Sequence, residues 1–132
     1  MKKMYVLTVT IIYLLILFVG SAYYMQLFEV YKIKNFDLSE PEYEYIISNV
    51  SSKIVFGYTG SAREARKNAE KVWIEIYGDR VKKQKPYIVE FDEANQVWLV
   101  YGTLHGINMF GGTAGMLIQK YDGKVLAVWH GK

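Results

Sequence analysis

Two histidines, one serine and one glycine-rich stretch are the places in this 132-residue chain where a reactive site would have to start. His105 and His130 stand at no spacing that suggests metal ligation, and no carboxylate pair recurs near either to act as acid and base. Cysteine is absent, which excludes a thiolate metal site and a disulfide framework. Gly111-Gly112-Thr113-Ala114-Gly115 precedes a strand, whereas a dinucleotide-binding fingerprint follows a strand and opens a helix. That stretch therefore reads as a hinge or bulge. Ser61 has no base nearby in sequence and is explained as a helix cap. The chemistry expected is that of binding, with no catalytic residue, no metal and no cofactor.

The elements that would position a binding surface are easiest to read at the C-terminus. Ala114–Tyr121 and Lys124–His130 are apolar, strand-forming runs around Asp122-Gly123, which predicts a hairpin with a two-residue type I′ turn. This register sets Tyr121 opposite Lys124 and Ile118 opposite Ala127. Met116, Ile118, Val125, Ala127 and Trp129 then share one face, and Leu117, Tyr121, Leu126, Val128 and His130 the other. Both faces are largely apolar, so the sheet is expected to leave a hydrophobic surface beyond the one that covers a helix.

The helix is the next strongest signal. Ser61 as N-cap, Glu64 three residues on, and Gly78 as terminator frame Ala62–Tyr77, with Ala62, Ala65, Ala69, Val72, Trp73 and Ile76 along one side. Upstream, Ser39-Glu40-Pro41-Glu42 followed by Tyr43, Ile46, Ile47 and Val50 predicts a short amphipathic helix. Downstream, Tyr87–Phe91 and Val97–Thr103 read as two more strands. Four consecutive strands after one helix give an α+β fold, an antiparallel meander wrapped over the main helix. The uncovered face is the expected partner surface, and Tyr101, Tyr121 and Trp129 are the rings of the sheet most suited to anchor a partner, with His105 in the loop before Ala114. Homodimerisation is an alternative use of that face.

Residues 4–28 carry no charge, long enough for a helix to cross a hydrocarbon core of about 30 Å. Lys2 and Lys3 favour a cytoplasmic N-terminus, and tyrosines mark the ends. The apolar run exceeds the length of a typical signal-peptide core, which favours an uncleaved transmembrane anchor over a cleaved leader ending near Gly20-Ser21-Ala22. Either way the C-terminal domain is extracytoplasmic, membrane-anchored in one case and secreted in the other. The net charge of +3 includes these two lysines. Beyond Phe28 the chain holds 14 Lys and Arg against 13 Asp and Glu, so the basic stripe of a nucleic-acid binder is not expected.

Tyr77-Gly78, Lys85-Pro86-Tyr87, Trp98-x-Val100-x-Gly102-Thr103-Leu104, Gly111-Gly112, Ile118-x-Lys120-x-Asp122-Gly123-Lys124 and His130-Gly131-Lys132 together resemble the small NTF2-fold immunity protein family of bacterial polymorphic and contact-dependent toxin systems. The resemblance spans about residues 62–132. It implies an NTF2-like or cystatin-like α+β domain that neutralises a cognate toxin protein by contact. The organisation expected is an anchor or signal peptide at 1–28, a spacer with a short helix at 29–60, and the immunity-type domain at 61–132. Two other functions compete with this one. The first is an envelope module of cystatin-like or PepSY-like fold that binds a peptide or other ligand. The second is a hydrolase or isomerase in an NTF2-like pocket, which would need an Asp or His with a displaced pKa.

Overall fold

The computed structural model describes residues 1–30, 33–49, 52–104 and 112–131, with side chains for all of these except 22–30, 33, 34 and 49. The chain forms two compact units, Met1–Tyr31 and Lys32–Lys132. The first is a single helix, α1 (Lys2–Val30). Its Lys2–Ser21 stretch is long and apolar enough to cross a membrane, a description that an N-terminal signal sequence also meets. The Thr8 and Thr10 hydroxyls donate at 2.8 Å to the Met4 and Val6 carbonyls within the helix. Hydrocarbon could not solvate these groups, and the back-bonds satisfy them internally.

The second unit is a five-stranded sheet with helices on both faces. After β1 (Ile33–Asn35) and α2 (Pro41–Asn49) come α3 (Ala62–Tyr77), a 3-10 helix (Asp79–Gln84), β2 (Ile88–Asp92), β3 (Val97–Tyr101), β4 (Ala114–Gln119) and β5 (Val125–His130). Strand order follows chain order, with β2 to β5 antiparallel as expected and β1 added in parallel to β2. The residues expected as a spacer thus supply β1 and α2 to the same unit as the meander.

Helix α3 begins and ends where its signals place it. The Ser61 hydroxyl accepts from the Glu64 N–H at 3.2 Å, and Gly78, at φ 80°, donates its N–H to Ile74 at 2.9 Å. Ala62, Ala65, Ala69, Val72 and Trp73 are buried against the sheet. Ile76, expected on that side, is instead 55% exposed. The buried apolar residue that follows is Val81 of the 3-10 helix. The Lys82–Lys85 region, expected as a loop, contains the end of that helix, with Lys85 turned back to Glu70 at 3.2 Å.

The β4–β5 connection departs from the expected two-residue turn. Gln119 closes on Lys124, and Gly123 donates to the Gln119 carbonyl at 3.0 Å, so the loop runs over four residues, Lys120–Gly123. Gly123 is at φ 66°, whereas Asp122 stays at negative φ, which excludes type I′. The reason lies in the strap at 54–59. Phe56, Gly57 and Thr59 donate to the carbonyls of Gly123, Asp122 and Lys120 at 2.8–2.9 Å, a clasp that the shorter turn would not present. A Cβ on Gly123 would run into the Gly57 backbone.

The register changes with it. Ile118 pairs with Val125 and Leu117 with Ala127, leaving Leu126 as a bulge. A bulge reverses the alternation beyond it, so Ala127 and Trp129 join Leu117 on one face and Val128 joins Met116, Ile118 and Val125 on the other. The expected face assignment is corrected on this point. Face one, that of Met116, Ile118, Val125 and Val128, packs on α3, where Trp73 meets Tyr87 edge to face at 5.2 Å and donates from its indole to the Gly115 carbonyl at 3.2 Å. Face two, expected to be open, is covered by the chain itself. Tyr43, Ile46 and Ile47 of α2, with Phe36 and Leu38, pack on Val97, Leu99, Leu117 and Ala127. The short amphipathic helix thus uses its apolar side to close the second face.

Gln84 pins the mouth of the β3–β4 connection. Its backbone carbonyl accepts from Thr103 N–H at 2.8 Å and its side-chain oxygen from Ala114 N–H at 2.8 Å. Gly102 lets it approach, since a Cβ there would lie 2.7 Å from the Gln84 Cβ. Gly102→Ala is therefore expected to lower stability by about 1–2 kcal/mol. A denaturant midpoint equal to that of the wild type would show that Gln84 can move away at no cost.

Candidate functional site

Of the four residues singled out for partner contact, the structure brings two together. Tyr101, Gly115 and Trp129 stand side by side across β3, β4 and β5. A Cβ on Gly115 would collide with the Trp129 indole, so this glycine is what allows the ring to lie across β4. Tyr121 sits at the other end of the hairpin, 67% exposed. There Gly57 and Thr59 bond to Asp122 and Lys120, which sets Tyr58, 71% exposed, opposite Tyr121. His105 lies outside the described residues. Tyr101 and Trp129 are half-buried rather than open, because α2 covers part of their face.

What remains between α2 and the sheet is a cleft of about 270 Å³ walled by Tyr43, Tyr101 and Trp129, with Glu42 and Glu90 at its side. Glu90 is diagonal to Tyr101 in the β2–β3 register, and the Tyr101 hydroxyl donates to it at 3.1 Å. Both tyrosines report a negative field. Burial, then the charges of Glu42, Glu90 and Glu40, push the Tyr43 hydroxyl up to about 12. Burial and Glu90 push Tyr101 up to about 12 as well. Both therefore stay protonated near neutral pH.

The residues lining the cleft include two carboxylates and no cation. Backbone register sets Lys34 of β1 beside Glu90. Three rings with carboxylates at hand form an environment that favours a positively charged group over a neutral one, through the ring faces and through direct ion pairing. Nothing in that set activates a nucleophile, and among the described residues no three His, Asp or Glu side chains converge. Tyr101 and Trp129 are among the residues the sequence singled out, whereas Tyr43, Glu42 and Glu90 are not. Glu90 carried a signal, the single charge within the otherwise apolar run Tyr87–Phe91.

The family model for NTF2 fold immunity proteins matches residues 64–132, more than half of the chain. This chain belongs to the NTF2-fold immunity protein family. The matched region contains α3 from Glu64 onward, the four antiparallel strands and, within the cleft, Glu90, Tyr101, Thr113 and Trp129. Glu42 and Tyr43 come from α2, outside it. The chain is also 40% identical over 57 residues to an uncharacterized protein, YhhH, of Escherichia coli (strain K12). That alignment covers 42% of this chain and 43% of the relative, so the chain spans under half the length of the curated relative it matches. No solved structure matches this chain.

Proposed function

We propose that this protein neutralises a bacterial protein toxin by binding it, and that the Tyr43–Tyr101–Trp129 cleft takes a cationic side chain of that toxin. The family match over residues 64–132 carries the first part of this reading. The cleft supports the second, because two carboxylates beside three rings are complementary to lysine or arginine. The apolar α1 supports placement of the binding domain outside the cytoplasm, tethered where it would meet an incoming toxin.

Two measurements test the reading. Cells making the full chain together with the toxin encoded beside its gene are expected to grow, and cells making the toxin alone are not. Growth arrest in both would remove neutralisation from consideration. For the tether, the membrane fraction is expected to yield the intact 15.3 kDa chain. A mature protein shortened by 20 or so residues would show a cleaved leader instead.

A further inference from the structure

We infer that a second cleft, on the sheet face opposite the Tyr101–Trp129 cleft, binds an acidic segment of a partner protein. It lies where the end of α3, the 3-10 helix and the end of β5 meet, and measures about 600 Å³. Ile76, Tyr77, Arg80, Lys83, Gln84 and His130 line it, and none of its lining residues is acidic.

The two cations are available. Among the described residues, the ion pairs of this region join Lys82 to Asp79 at 3.5 Å and Lys85 to Glu70 at 3.2 Å. Neither involves Arg80 or Lys83, and both of these are exposed. The inner wall is made of neutral groups held in fixed roles. Because the Gln84 oxygen accepts from Ala114, its amide nitrogen is the atom facing His130 Nε2 at 3.0 Å. Nitrogen donates there, so Nε2 accepts, and the ring proton sits on Nδ1, which donates to the Gly131 carbonyl at 2.8 Å. His130 is thereby committed to the protein and packs edge to face on Tyr77 at 5.2 Å. The second amide hydrogen of Gln84 and the Tyr77 hydroxyl, kept protonated by burial, are further donors on this wall.

The cleft therefore offers two cations at its rim, neutral donors within, and apolar contact from Ile76 and the ring pair. An acidic peptide fits all three, its carboxylates taken by Arg80 and Lys83 and its methylenes by Ile76 and the rings. A small inorganic anion would leave most of the space and the apolar wall unused. A nucleic-acid backbone would call for the longer basic stripe that the domain lacks.

The test uses the full chain in nanodiscs of zwitterionic lipid and a fluorescent acetylated peptide, Glu-Asp-Glu-Asp-Glu, followed by polarisation. Saturable binding is expected, weakened about tenfold by Arg80→Gln with Lys83→Gln and less than about twofold by Lys82→Gln, whose charge Asp79 already holds. Circular dichroism confirms the fold of each variant. The inference is overturned if the peptide does not saturate, or if Lys82→Gln weakens binding as much as the double variant. It is equally overturned if inorganic phosphate displaces the peptide at equal molar concentration. No toxin enters this experiment, so its failure leaves the proposed neutralisation standing, and loss of that proposal leaves this site testable.

Discussion

Asp92→Ala will destabilise the sheet domain by about 3 kcal/mol and release the start of α2 from face two. Asp92 is 4% exposed and accepts from the Leu38 N–H at 2.7 Å, the Asn95 N–H at 3.1 Å and the Asn95 side-chain amide at 2.8 Å. One carboxylate thus ties the segment that leads into α2 to the β2–β3 turn. Removing it leaves three part-buried donors without their acceptor at once. Tyr43 and the acid–aromatic cleft depend on α2 staying in place, so toxin binding should weaken with stability.

The same residue predicts acid sensitivity. Burial raises the Asp92 carboxyl, but the Asn95 side chain and the backbone donors of Leu38, Asn95 and Ala94 outweigh it and hold the group below its ordinary value. A folded carboxyl depressed in this way contributes its full stability above the unfolded pKa of about 4, and loses it as pH falls through the folded value. Glu70 adds to the same window. Its burial is outweighed by the Tyr87 hydroxyl and Lys85. Denaturant midpoints of the wild type should therefore drop on acidification below about pH 4, and those of Asp92→Asn should drop less. Equal pH slopes for the two proteins would refute the role given to Asp92.

The second large effect is expected in the cleft. Glu90→Gln with Trp129→Ala should weaken toxin binding about a hundredfold, or about 2.7 kcal/mol. The substitution at Glu90 removes the charge proposed to meet a toxin cation, which with burial raises Tyr101. The substitution at Trp129 removes the ring lying over Gly115. Glu90→Gln alone preserves shape and separates charge from folding. Tyr121→Ala, at the far end of the hairpin, should change affinity by less than about threefold. If calorimetric titration instead finds Tyr121 dominant and Glu90 neutral, the binding surface is the exposed Tyr58–Tyr121 pair.

Much of this architecture was legible because local signals agreed with the fold. Ser61, Glu64 and Gly78 bounded α3 to the residue, and four apolar runs gave the meander. The errors came from interactions between distant segments. Asp122-Gly123 does form a hairpin connection, but the 54–59 strap draws it into a four-residue loop, and the resulting bulge at Leu126 moves Ala127 and Trp129 to the other face. Pattern within the hairpin carries no information about a strap sixty residues earlier. The second face is apolar, but the open surface expected there does not exist, because Tyr43, Ile46 and Ile47 of the same chain cover it. Tyr101 and Trp129 stand out in the sequence because large rings on strands are conspicuous. Glu90 and Glu42 acquire meaning only once α2 docks beside them.

The most direct measurement is a titration of the purified toxin with the full chain, reading residual toxin activity and complex mass together by light scattering. Neutralisation by contact predicts that activity falls linearly to zero at one fixed molar ratio, in step with the appearance of a complex of that composition. Loss of toxin activity at small substoichiometric amounts, with no complex formed, would contradict it and would mark the protein as an enzyme acting on the toxin.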